Sequence, residues 1–173
     1  AKIRKITIGQ IGIFGEDELV QVRLLQEADP SGCELSVDIL SVTVRDRKNR
    51  KLFPQKNQSL QLYRDDELLV SHYISDFSRQ GQCDYRFRGK SSVGRLEDMY
   101  LLDDLLWDTP YVTNAGLGEL ELHGYLPVCT RREALQQIAF AICAVVTTRA
   151  DGTICLFTPD FKAGGSFTDD CVF

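Results

Sequence analysis

Apolar and polar residues alternate through the first half of the chain and change to helical spacing in the second. In "LVQVRLLQ" (Leu19 to Gln26) alternation places Leu19 on one side and Val20, Val22 and Leu24 on the other. "ELSVDILSVTVRD" (Glu34 to Asp46) is rich in β-branched residues and repeats near every second position. "SLQLYRDDELLVSHYISDF" (Ser59 to Phe77) predicts a hairpin with Arg64-Asp65-Asp66 as its polar turn. "SRQGQ" then leads into another strand, "CDYRFRGK" (Cys83 to Lys90). "ADPSG" (Ala28 to Gly32) and "RDRKNRKLFPQKNQ" (Arg45 to Gln58) read as loops. Residues 1–90 are therefore expected to form a mostly antiparallel β region, a curved, barrel-like sheet.

Beyond residue 90 the elements are mixed. "SSVGRLEDMYLLDDLLW" (Ser91 to Trp107) has leucines at helical spacing behind serine caps, with Gly94 weakening its first turn. "DTPYVTNAGLG" is a loop and "ELELHGYLPV" a short strand. "TRREALQQIAFAIC" (Thr130 to Cys143) predicts one amphipathic helix, opened by a Thr130/Glu133 capping box. Its apolar stripe runs through Leu135, Ile138, Ala139, Ile142 and Val146, and Leu135, Ile138, Ile142 and Val146 are the expected structural core. Val145 to Thr148 turns extended, "RADG" reverses the chain, and "TICLF" (Thr153 to Phe157) pairs back. The expected class is α+β: an antiparallel barrel-like sheet, two helices and a C-terminal helix–hairpin unit. Residues 1–90 and 91–173 are read as two regions sharing one core. The last residues, "CVF", read as a docking segment or as a chain cut short.

Charge narrows the function. The chain has 173 residues and a net charge of −5, which argues against nucleic acid as its main partner, because phosphate neutralisation needs a basic excess. No apolar run reaches the ~20 residues a membrane helix needs, and no signal peptide is visible in "AKIRKITIGQ". The six cysteines are widely and unevenly spaced, with no CxxC, so reduced thiols in a cytoplasmic setting are expected.

Candidate chemistry is sparse. "GKSS" at Gly89 sits between a strand and a helix, but Asp84 occupies the position where a phosphate loop needs glycine. Glu119, Glu121 and His123 would share one strand face and could hold a metal, yet a solvated face opposite Leu120 and Leu122 explains them as well. Glu97, Asp98, Asp103, Asp104 and Asp108 surround Trp107. Paired carboxylates beside an aromatic suit a glycosidase cleft, and the polar side of an amphipathic helix looks the same. His72 lies mid-strand, and no GxSxG elbow is present. In "DYRFRGK" Arg86, Arg88 and Lys90 share one face and the aromatics the other. With Arg79 they form a candidate interface for an acidic partner. No catalytic residue, metal site or cofactor is expected.

The segment "HGYLPVCTRREALQQIAFAICAVVTTRADGTICLF" resembles one in phage and prophage tail proteins of Gram-positive bacteria. There a "GY-P" turn leads to "REALQQIAFA" and an Asp-Gly-type hairpin. Upstream, the "F-P" loop, "LYRDDELL", "YISDFSR" and a "GRLED"-like helix start follow in the same order. The resemblance covers about Glu34 to Phe157. It implies a baseplate-hub or tail-associated structural protein, held in a homo-oligomeric ring with other tail proteins and without catalysis. It also implies assembly in the bacterial cytoplasm and residence in the virion tail. The contrasting reading is a carbohydrate-active enzyme or carbohydrate-binding module that uses Asp103, Asp104, Asp108 and Trp107.

Overall fold

The alternation in the first half of the chain builds one seven-stranded antiparallel sheet in the computed structural model, which describes residues 3–26, 35–50, 52–98, 105–106, 108–114 and 116–158. Its strands are β1 (Ile3–Ile8), β2 (Gly12–Gly15), β3 (Leu19–Leu25), β4 (Ile39–Arg45), β5 (Ser59–Arg64), β6 (Glu67–Arg79) and β7 (Asp84–Lys90). The spatial order is β2-β1-β5-β6-β7-β4-β3. The two edges, β2 and β3, are consecutive in the chain and joined by a 3₁₀ turn, Glu16–Glu18, without pairing to each other. The sheet is curved but open, which corrects the expectation of a barrel only as far as closure is concerned. One face gathers Ile6, Ile8, Phe14, Leu40, Leu60 and Phe87, all fully buried. At about 1.5–3 kcal/mol for each such side chain, this face stabilises the sheet and fixes its register.

Local chemistry sets the hairpins. Asp65 and Asp66 both adopt positive φ, 49° and 70°, in the two-residue turn between β5 and β6. Such turns match the right-handed twist of the strands, and aspartate tolerates the left-handed region better than most residues. In β3 a register shift between Leu19 and Gln21 inserts Val20 as an extra residue against β4. Leu19 therefore shares the core-facing side with Val22 and does not oppose it, as strict alternation had required.

The second layer comprises α1 (Ser92–Arg95), which continues as a 3₁₀ turn (Leu96–Asp98), then β8 (Tyr111–Thr113), a 3₁₀ turn (Leu117–Glu119) and α2 (Arg131–Ala141). The hairpin β9 (Val145–Thr148) and β10 (Ile154–Phe157) completes it, in a three-stranded sheet of order β8-β10-β9. The expected capping box is present. Glu133 N donates to Thr130 Oγ1 at 3.2 Å, and Thr130 N donates to Glu133 Oε2 at 2.8 Å. The helix ends at Ala141, two residues before the expected Cys143. Cys143 lies beyond it at φ 53°, in the left-handed position that closes helices, while Ala144 N donates back to Ala139 O.

Three further expectations change. Residues 120–128 form no strand. The helix expected over Ser91 to Trp107 is a single turn of α-helix and one of 3₁₀ up to Asp98, and residues 99–104 lie outside the described residues. Gly94, expected to weaken that helix, is a packing requirement. A Cβ there would collide with Val37 Cγ1 and come within 3.0 Å of Lys90 Cβ. Ser91 N donates to Asp38 O and ties the layers, while within the second layer Ser92 Oγ donates to Gly152 O of the β9–β10 turn.

Candidate functional site

The four cations expected as an interface have different surroundings. Arg79 clamps the β6–β7 turn, donating to Gly81 O at 2.8 Å and to Gln82 O, with its guanidinium 5.8 Å from the Tyr85 ring. Lys90 points toward the helical layer and pairs with Glu97 at 3.4 Å. Arg86 and Arg88 remain exposed on the outer face of β7, while Phe87 is fully buried on the other. They are joined by Arg23 of β3, which the sequence reading did not select. Arg23 pairs in register with Ser41, and Ser41 with Arg88. These three arginines, Ser41, Leu25 and Ile39 line a shallow groove of about 190 Å³.

The acids near the helical layer are structural partners. Arg95 donates to Asp108, and Arg131 Nη1 lies 3.9 Å from the same carboxylate. Glu97 faces Arg132 at 3.5 Å as well as Lys90. Arg95 also stacks 4.7 Å over Tyr73, so this network ties β6 and α1 to α2. Asp103, Asp104 and Trp107 lie outside the described residues. Glu121 and His123 are almost fully exposed and 3.9 Å apart. Among the described residues no group of three His, Cys, Asp or Glu is placed to hold a metal.

The remaining singled-out residues serve packing. A Cβ on Gly89 would lie 2.9 Å from Leu60 Cδ2 and 3.1 Å from His72 Cβ, so this glycine permits a close approach within the sheet. His72 is 1 % exposed, and neither ring nitrogen makes a hydrogen bond of ordinary geometry. Burial holds its pKa below the ordinary value of 6.5 and the ring neutral. On α2 the buried side centres on Ala134, Leu135 and Ala139, with Ile138 and Ile142 half-buried at its margin. Val146 packs partly against the same core. Cys83, Cys129, Cys143 and Cys155 are free thiols.

One cluster was not visible in the sequence. Glu18 and Asp46 are buried, and Arg50 lies between them, Nη2 2.9 Å from Glu18 Oε2 and Nη1 3.3 Å from Asp46 Oδ1. The guanidinium also lies 4.4 Å from the Phe14 ring centroid. This cluster pins the turn between the two open edges of the sheet. The Arg50 hydrogen bond holds the Glu18 carboxyl below its ordinary pKa, against the opposing effect of burial.

No protein-family model and no curated protein matches the sequence. The chain has the fold of two solved tail proteins. One is the 43 kDa tail protein of prophage MuSo2 from Shewanella oneidensis, with a TM-score of 0.60 at 13 % identity over 90 % of this chain. The other is the tail protein from Neisseria meningitidis MC58, with a TM-score of 0.59 at 15 % identity over 88 % of this chain. The chain spans about half the length of each, 52 % and 50 %. The fold places both the arginine groove and the Arg50 cluster near the open edges of the first sheet. Among the described residues no helix is long and apolar enough to cross a membrane.

Proposed function

We propose that this chain is a structural component of a phage or prophage tail, seated hub-like at the tail tip and associating with other tail proteins. One observation carries the reading: a shared fold over about nine-tenths of the chain with two tail proteins. The site geometry supports it, since the charged residues near the helical layer hold elements together. The exposed arginines and the open sheet edges face outward, as an assembling subunit requires. On this reading residues 1–90 and 91–173 act as one unit, and copies of the chain associate in a ring.

The test is immunogold labelling of tails purified from cells that carry the gene, beside tails from a strain in which it is deleted. Gold at one tip of the tail, and defective tails in the deletion strain, are expected. Intact tails lacking the chain, or a chain that never co-sediments with tails, would overturn the reading.

A further inference from the structure

Three guanidiniums share one groove with no acid in its lining. Arg23, Ser41 and Arg88 form one cross-strand row, and Arg86 follows two residues along β7. Neighbouring strands lie ~4.8 Å apart, so the charges are held within one small area. Among the described residues none of the three arginines makes an ion pair, whereas Arg45, Arg50, Arg64, Arg95, Arg131 and Arg132 all do. Asp76 is the register partner of Arg88 and forms no ion pair with it. Among the described residues the Arg86 side chain donates only to Ser41 Oγ, at 3.3 Å. A positive groove on a chain of net charge −5 calls for an anionic partner.

The groove runs along an open strand. β3 is an edge of the seven-stranded sheet, and among the described residues nothing pairs with its outer side. Gln21, Arg23 and Leu25 alternate with Val22 and Leu24. Leu24 stands on the core-facing side yet is 37 % exposed, and among the described residues no strand covers it there. The bulge at Val20 limits pairing to Gln21 and beyond. Arg23 discourages a second copy of β3, since like charges set opposite each other repel. It favours a strand that brings a carboxylate.

We propose that the outer edge of β3 docks an extended segment of another protein in which acidic and apolar side chains alternate. The backbone pairs with β3. The acidic side chains lie over Arg23, Arg88 and Arg86, and an apolar one covers Leu24. Leu25 and Ile39 in the groove fit a peptide better than a phosphate backbone, which offers them nothing. The proposal rests on the assembly reading only for the partner being a neighbouring tail protein.

The test uses the full chain and a fluorescent nine-residue peptide of alternating Glu and Val, with binding read by anisotropy. We expect saturable binding, weakened at least tenfold by the Arg23→Glu/Arg88→Glu pair and recovered on that variant by a Lys/Val peptide. Both substitutions are on exposed side chains, and an unchanged melting temperature confirms the fold. Methylating alternate peptide amides keeps the charge but removes pairing, and should abolish binding. Absence of peptide binding, binding indifferent to charge reversal, or equal binding of the methylated peptide would each overturn the proposal. Tighter binding of a short DNA duplex would overturn it in favour of nucleic acid. Peptide binding does not depend on where the chain resides, so a failure of tail labelling leaves this result standing, and the converse holds.

Discussion

Replacing Arg50 with alanine removes the cation from a site where two carboxylates are already out of water. The Glu18 and Asp46 side chains are each 3 % exposed. Removing one partner of a buried ion pair costs about 3–5 kcal/mol, because the remaining charge stays desolvated. Asp46 is cushioned, since it keeps the backbone N–H of Arg50 at 2.5 Å and of Lys48 at 3.2 Å. Among the described residues Glu18 keeps only Gly15 N, at 3.4 Å, and its Oε1 has no partner even in the native chain. Arg50 itself is 19 % exposed, so water can reach part of the vacated space. The lower end, about 3 kcal/mol at pH 7, is therefore expected. Loss of the contact over Phe14 adds about 0.5–1 kcal/mol.

The pH dependence makes the prediction specific. In the native chain Glu18 titrates below its ordinary value of 4.5, so it stabilises the fold above that pH and loses the contribution as the pH falls through the folded value. In Arg50→Ala the same carboxyl is buried without a cation, its folded pKa rises, and protonation relieves the penalty. The difference between the two proteins must therefore shrink as the pH is lowered from 7 toward 4.5. Urea denaturation at both pH values measures it, and the melting temperature at pH 7 should fall by about 6–12 °C. A loss below about 1 kcal/mol at pH 7, the scale of a surface pair, would refute the reasoning. So would an equal loss at both pH values.

Leu135→Ala should cost about 2–5 kcal/mol in urea denaturation and Ile138→Ala clearly less, because Leu135 is fully buried and Ile138 only partly so. Equal costs would mean that the helix is rotated from the orientation described. His72→Leu should be neutral or stabilising at pH 7.5, since an apolar side chain replaces two buried nitrogens that make no hydrogen bond of ordinary geometry. Native stability should fall below pH 6.5 by up to about 1.4 kcal/mol per pH unit, because the unfolded imidazole takes up a proton that the folded one resists. Unfolding curves from pH 7.5 to 5.5 should show that slope in the native chain and a smaller one in His72→Leu. Gly94→Ala should lose about 1–3 kcal/mol through overpacking against Val37, and a melting temperature equal to that of the native chain would contradict the contact.

The elements legible in the sequence were those whose instructions are local. The β5–β6 hairpin announced itself through Asp65-Asp66 between two alternating runs. The β9–β10 hairpin did so through Asp151-Gly152, where Gly152 takes φ 90°. The capping box placed the start of α2 because Thr130 and Glu133 are three residues apart. What stayed hidden depended on distant parts of the chain. β1 pairs with β5 as well as with its hairpin partner β2, and no local turn announces the pairing with β5. Glu18 and Arg50 are 32 residues apart, and alternation says nothing about which strands will be neighbours. The same limit hid Arg23 from Arg88, since β3, β4 and β7 meet only through sheet order. On α2 the period identified an apolar arc but not its deepest line. Close approach selected the small Ala134 and Ala139 beside Leu135 over the larger Ile138 and Ile142.

The arginines that tie elements together stand apart from the three that share the groove beside β3. The chain has 25 acidic residues against 20 Lys and Arg, so carboxylates are in excess and an arginine left without one is not explained by scarcity. Arg50, Arg95, Arg131 and Arg132 sit where elements converge, and each has a carboxylate within 4.0 Å. Arg23, Arg86 and Arg88 lie on strands already held by a buried face, so the sheet does not need their charges in order to fold. An exposed like-charge group costs little in water, and it attracts an anionic partner through complementary charge. The groove beside β3 is therefore the place on this sheet where a partner gains most from electrostatics. The free edge next to it supplies backbone hydrogen bonds that no side-chain contact could replace.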